Sequence, residues 1–129
     1  GEVRMVLYAS SSGRDTDWVV KLCDQHPDGS TLNLCDGVAR VSYQCARSGA
    51  SYQPGDAPPW EISLWSTAAV IPTGHRLRVV VTSSDFPRYD RNPNTGENPC
   101  SATASEPALQ RVFHTPARPS RIELPIVPR

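Results

Sequence analysis

Three histidines, scattered serines and a series of early aspartates are the residues of this chain that could do chemistry. Serine, histidine and aspartate converging in space would support nucleophilic acyl transfer, with histidine as the base and aspartate orienting it. A common setting for such a serine is a G-x-S-x-G elbow, which holds its hydroxyl exposed on a sharp turn. The sequence contains none, because Ser12-Gly13 and Ser48-Gly49 lack the preceding Gly-x. His26 precedes a turn proline, His75 follows Gly74 at a strand start, and His114 ends a strand on the expected inner face. Each suits a structural role, so the chain is expected to hold no catalytic residue of its own.

Asp15, Asp17, Asp24, Asp28 and Asp36 offer hard oxygen ligands that could gather calcium at one end of a sheet. They lack EF-hand spacing, and Asp28-Gly29 and Asp36-Gly37 read as ordinary turn pairs. Neither a metal nor a cofactor is expected. Trp18, Trp60 and Trp65 raise sugar stacking; Trp18 and Trp60 alternate onto core faces, which leaves Trp65 as the exposed aromatic. Cys23, Cys35, Cys45 and Cys100 form no C-x-x-C pair and have no histidine at metal spacing. Cys23 and Cys35 flank one turn and read as free, buried thiols. Cys45 and Cys100 could pair, but nothing in the reading depends on it.

The elements that must position these residues are strands. A chain of 129 residues suffices for one domain with a real core. It is 38% apolar and 20% charged, and its 13 prolines are spread out, which suits a loop-rich β protein. No apolar run approaches the roughly 18–20 residues that span a bilayer, and no secretory leader pattern is visible. Gly1-Glu2 lead straight into a strand and the sole methionine is Met5, so a fragment of a longer chain is expected. Basic and acidic residues balance at 13 each with no basic block, which argues against nucleic acid and anionic membrane as partners. Twelve of the basic residues are arginine and Lys21 stands alone. Compartment stays open.

Period-2 alternation recurs along the chain. Val3, Met5, Leu7 and Ala9 share one face; so do Trp18, Val20 and Leu22, and later Trp60, Ile62 and Leu64. Trp18 to Cys35, around His26-Pro27-Asp28-Gly29-Ser30, is the best hairpin. Asp36-Gly37 is read as a second turn, followed by Ala39, Val41 and Tyr43 on one strand face. Residues 46–59 form a long loop, and Ile71-Pro72-Thr73-Gly74 a turn. Leu77, Val79 and Val81 make the cleanest strand. Leu109 to Phe113 and Ile122 to Val127 close the chain, with Pro125 marking an edge or bulge. About eight strands with no convincing helical period in any window of 11 or more residues indicate an all-β sandwich, jelly roll first.

After the Leu77–Thr82 strand, residues 83–96 form neither helix nor strand. Pro87 and Pro93 fix φ there, and Asn92, Asn94 and Gly96 tolerate turn conformations. One reading is a self-bonded cap, in which Asp85 and Asp90 pair with Arg88 and Arg91 while Asn92 and Asn94 tie down turns. The other is a docking loop presenting Asp85, Phe86, Arg88, Tyr89, Asp90, Arg91 and Asn92 to a neighbouring domain. The two are compatible.

Several segments carry a family resemblance in order: Asp17-Trp18-Val19-Val20-Lys21-Leu22, His26-Pro27-Asp28-Gly29, Leu34-Cys35-Asp36-Gly37 and Gly74-His75-Arg76-Leu77. Ser83-Ser84-Asp85-Phe86-Pro87, Asp90-Arg91-Asn92-Pro93-Asn94-Thr95-Gly96, His114, Pro119-Ser120 and Leu124-Pro125-Ile126-Val127 continue it. Together they resemble the C-terminal domain of the cocaine esterase/NonD hydrolases, related to X-Pro dipeptidyl-peptidases and α-amino-acid ester hydrolases. The resemblance implies a galactose-binding-like jelly-roll sandwich over residues 1–129, forming one C-terminal domain of a longer hydrolase. It implies an α/β-hydrolase catalytic domain as partner in the parent chain, which carries the Ser-His-Asp triad and cap, and a non-catalytic accessory role for this chain. The family domain begins before the segment matching Gly1, so one or more early strands are expected to be missing. An edge exposed in that way would suit a homo-oligomer. The alternative function is a carbohydrate-binding jelly-roll module.

Overall fold

Alternation becomes burial in the first strand. The computed structural model describes residues 1–127, and in it β1 (Glu2–Ser11) turns Val3, Met5, Leu7 and Ala9 into the core while Glu2 and Arg4 stay exposed. β2 (Asp17–Gln25) and β3 (Thr31–Arg40) form the expected hairpin, closed at its turn by the His26 N–H donating to Ser30 O at 2.9 Å. An eight-residue helix, α1 (Val41–Ser48), follows, then β4 (Pro59–Ser66) and β5 (Arg76–Thr82). Four short strands close the described chain: β6 (Gln110–Val112), β7 (His114–Thr115), β8 (Arg118–Pro119) and β9 (Arg121–Glu123). The helix is far too short to cross a membrane, and no other helix occurs among the described residues.

The fold is an all-β sandwich. One sheet runs β4-β1-β6, with β9 pairing β1 on the same side as β6; the other runs β3-β2-β5, and every pairing is antiparallel. All successive connections among the first six strands except the β2–β3 hairpin cross between the sheets. Between the sheets lie Val3, Met5, Leu7, Trp18, Val20, Leu22, Val41, Trp60, Ile62 and Leu64. Burying each such side chain contributes roughly 1.5–3 kcal/mol. The Trp60 indole N–H donates to Ala9 O at 2.9 Å, which satisfies the polar atom of the largest ring in this part of the core.

Four readings of the sequence are corrected. Asp36-Gly37 is not a turn but the middle of β3, with Gly37 opposite Val20. A Cβ on Gly37 would sit 2.1 Å from Ser63 O, so this glycine serves the close approach of β3 to β4 rather than chain reversal. Ala39, Val41 and Tyr43 do not share a strand, since the chain turns helical at Val41. The Asp15 carboxylate causes this: it accepts the Ser42 N–H and the Ser42 hydroxyl, both at 2.8 Å, while the Val41 N–H reaches Thr16 O. These bonds satisfy orphan donors at the helix start, and Gly49 ends the helix in the left-handed region at φ 70°. His114 is exposed rather than inward-facing, because it opens the small β7–β8 hairpin. The last strand is also shorter than Ile122–Val127, ending at Glu123 before Pro125.

β5 forms where expected and pairs with β2, but it is poorly covered. Its register places Leu77, Val79 and Val81 on the inner face beside Asp24, Leu22 and Val20. Leu77 nevertheless remains 47% and Val79 39% exposed.

Candidate functional site

β2 is buried on both faces, which one packed sheet cannot achieve. Trp18, Val20 and Leu22 face the sandwich interior; Asp17, Val19 and Lys21 face the other way, level with Arg40, Val38 and Asp36 on β3. Val19 is nevertheless fully buried and Asp17 nearly so. The 85–96 loop supplies the cover by lying across this outer face.

Ion pairs fasten it. Lys21 Nζ lies 2.6 Å from Asp85 Oδ1, and Arg88 Nη1 lies 2.7 Å from Asp36 Oδ2. Asn92 Nδ2 donates to Asp17 Oδ1 at 2.8 Å and to Asp15 Oδ2 at 3.0 Å. Arg40 grips the other side of Asp17 with a two-pronged contact at 2.7 and 2.8 Å and reaches Asp90 O at 3.4 Å. Its hydrogen bond to Asp17 raises the Arg40 pKa above its ordinary value. Inside the loop, the Arg88 and Tyr89 N–H groups turn back to Asp85 O, and the Asn94 N–H donates to Asn92 Oδ1. Pro93 is buried. Asn94 sits at φ 63°, and Asn94 O accepts the Arg14 N–H.

The self-bonded cap is therefore corrected in its partners. The loop's Asp85 and Arg88 pair with the sheet, not with Arg91 or each other, and Asp90 contributes its carbonyl rather than its carboxylate. An ion pair confined to an exposed loop gains little. A carboxylate buried on the sheet is costly unless paired, so the buried Asp17 and Asp36 claim the available donors. The calcium reading loses its ligands for the same reason. Asp15, Asp17 and Asp36 face nitrogen and hydroxyl donors, and Asp28 bonds Ser30 in its own turn.

What the loop turns outward is aromatic. Phe86 is 58% exposed, with the Arg91 guanidinium 4.7 Å above its ring. Tyr89 is half-buried under Arg88. Beside them a cleft of about 400 Å3 is lined by Val38, Arg40, Tyr43, Arg88, Tyr89 and Asp90, with Asp17 at its floor. The lining contains no serine, cysteine or histidine. Trp65, on the other sheet, is 72% exposed at φ 66°, with no aromatic ring stacked on it among the described residues. The four cysteines are free; burial raises the thiol pKa of Cys35 and Cys45.

Of the seven loop residues singled out from sequence, Asp85, Arg88, Asp90 and Asn92 bind the sheet, while Phe86 and Arg91 stack facing solvent. Sequence reasoning missed the anchors Lys21, Asp36, Asp17, Asp15 and Arg40. The lone lysine inside an apolar strand was a usable signal; the rest depended on which strands pair.

Comparison with known proteins follows from this geometry. The model of the X-Pro dipeptidyl-peptidase C-terminal non-catalytic domain matches residues 1–123. The cocaine esterase of Rhodococcus sp. (strain MB1 Bresler) is 39% identical over 132 residues, covering 100% of this chain and 23% of that protein. The crystal structure of an aminopeptidase from a marine sediment archaeon, Thaumarchaeota archaeon, superposes with a TM-score of 0.92 at 34% identity, over 99% of this chain and 23% of the other. An α-amino acid ester hydrolase superposes with a TM-score of 0.77 at 35% identity, over 95% of this chain and 22% of the other. The chain thus spans less than a quarter of the length of each of these proteins.

Proposed function

The chain belongs to the X-Pro dipeptidyl-peptidase C-terminal non-catalytic domain family, and from that premise we propose that residues 1–129 are one accessory domain of a serine hydrolase. The parent cleaves an ester or amide through an acyl-enzyme formed on an α/β-hydrolase domain, in the manner of an X-Pro dipeptidyl-peptidase or a cocaine-esterase-like acyl hydrolase. This domain stabilises the catalytic domain and docks on it through the 85–96 loop. One observation carries the docking: the loop spends Asp85 and Arg88 on its own sheet while leaving Phe86, Arg91, Tyr43 and Val38 uncovered around the cleft. Aromatic and arginine side chains on a rigid support are the composition of interface centres. The half-covered inner face and outer edge of β5 form a second contact surface, where a strand of the parent or of another copy adds to the sheet.

The test uses Phe86→Ala and Arg91→Ala in both the chain alone and the intact parent. Both variants are expected to leave melting of the chain unchanged within error and to lower melting or turnover of the parent. Unchanged melting and unchanged turnover of the parent would refute docking through this loop. Analytical ultracentrifugation of the parent across concentrations reports on pairing through β5.

A further inference from the structure

At the opposite end of β2 from Asp17, two turns bring a second set of side chains together. Asp24 is the penultimate residue of β2, paired with Leu32 on one side and Leu77 on the other. His26 follows β2 directly, and its N–H is bonded to Ser30 O. His75 precedes β5, and its N–H is bonded to Pro72 O. The two turns touch, with Pro27 Cγ 3.7 Å from where a Cβ on Gly74 would lie. Segments that are remote in sequence therefore gather one carboxylate and two imidazoles, the His26 and His75 rings lying 4.5 Å apart between centroids at a 40° tilt.

We propose that Asp24, His26 and His75 form a binding site for a divalent transition metal, with zinc as the best-matched ion. One ligand atom from each residue lies within 4.8 Å of the other two. His75 Nδ1 stands 2.9 and 3.0 Å from the two Asp24 oxygens, and His26 Nε2 stands 3.8 Å from Asp24 Oδ2. Tetrahedral zinc with bonds of about 2.0–2.1 Å separates its ligand atoms by about 3.3 Å. The spacings to Asp24 straddle that value and the two imidazole nitrogens lie within 4.8 Å of each other, so an ion needs a small opening of the Asp24–His75 contact and an inward move of His26. The His26 side chain is 39% exposed and can swing, whereas the Asp24 side chain is 9% exposed and fixed in the sheet.

Burial supports the assignment. Among the described residues, Asp24 takes hydrogen bonds or ion-pair contacts from His75 and His26 alone, in contrast to Asp15, Asp17 and Asp36 with their amide, guanidinium and hydroxyl donors. A carboxylate withdrawn from water and met only by imidazoles is a site that a cation can complete. The donor set selects the class. Two imidazole nitrogens and one carboxylate suit zinc, cobalt or nickel, while calcium and magnesium require more oxygens than this cluster provides. Three protein ligands with an exposed side at His26 leave a fourth position for water.

The experiment is calorimetric titration of the chelator-stripped chain with zinc chloride, alongside cobalt(II) substitution followed by visible absorption. One zinc per chain is expected, with at least tenfold weaker binding in His26→Ala and in His75→Ala. Four-coordinate cobalt bands should appear in the wild type and not in the variants, and zinc should raise the melting temperature of the wild type only. Calcium chloride should give no heat. His75→Ala exposes the chain to unfolding, because it strands Asp24; His26→Ala removes an exposed ring and keeps the test decisive. Absence of zinc binding to the folded wild type, or binding that His26→Ala leaves unchanged, would overturn the site.

Discussion

The two faces of β2 are held by different physics. Inward, Trp18, Val20 and Leu22 pack into the apolar core formed with Val3, Met5, Leu7, Trp60, Ile62 and Leu64. Outward, Asp17, Val19 and Lys21 lie under a loop that is tied down by ion pairs and an asparagine fork. The inward face needs residues of the right size and polarity, and many sequences supply them. The outward face needs particular partners, since a buried carboxylate without its cation is costly. A shaped surface loop on a small domain can therefore be as tightly specified as a core, through pairing instead of packing.

Predictions that would break this comparison begin with the inner face. Leu7→Ala removes a fully buried side chain from the centre of the core and should cost about 2–5 kcal/mol in urea unfolding. Gly37→Ala should cost about 3 kcal/mol or more, because the new Cβ meets the Ser63 carbonyl, a backbone group with little room to yield. A near-neutral result for Gly37→Ala would mean that the two sheets approach less closely than described.

The outer face comes next. Arg40→Ala leaves the buried Asp17 carboxylate with only Asn92 and should destabilise by about 2–3 kcal/mol. This lies below the usual toll for a broken buried pair because Arg40 itself is partly solvated. Asp17→Asn should be milder, since the remaining Arg40 can turn to water. If both variants matched the wild type in unfolding, the outer face would be ordinary surface and the contrast would fail. Arg88→Ala, which releases Asp36 to Asn33 alone, should cost about 1–2 kcal/mol. A double-mutant cycle on Lys21 and Asp85 should give about 1 kcal/mol of coupling, declining as salt is raised; coupling that ignores salt would indicate a pair more deeply buried than the structure places it.

The smallest effects probe surfaces. Trp65→Ala should leave stability within about 0.5 kcal/mol. Loss of binding to a glycan panel in that variant would revive the carbohydrate-binding alternative. Alkylation should reach Cys100 first, because it is exposed, while Cys35 and Cys45, whose burial keeps them protonated, react later.

Much of the fold was legible in the sequence. Val3 to Ala9, Trp18 to Leu22 and Trp60 to Leu64 alternate with the period of a strand, and each lies where that period puts it. Gly37 and Val41 were misread for related reasons. A glycine after aspartate looks like a turn until a second backbone is seen to pass over it, and a helix of eight residues is too short to show a period. The candidate docking loop was legible as one specified shape, through Pro87, Pro93 and Gly96, but its partners were not. The Arg88–Asp36 pair spans 52 positions and the Asp24–His75 pair 51, and no local pattern links residues that far apart.

By itself the sequence determined which side chains face inward along Val3–Ala9, Trp18–Leu22 and Trp60–Leu64, that residues 83–96 hold a defined loop, and that no serine elbow is present. These are local properties, set by alternation, by proline and glycine dihedrals, and by contiguous motifs. Only the tertiary structure decided that Lys21 and Asp36 anchor the loop, that Asp15 starts a helix, and that Asp24, His26 and His75 converge. Such contacts depend on register and on which strands become neighbours, and those follow from minimising exposed apolar area over the whole chain at once.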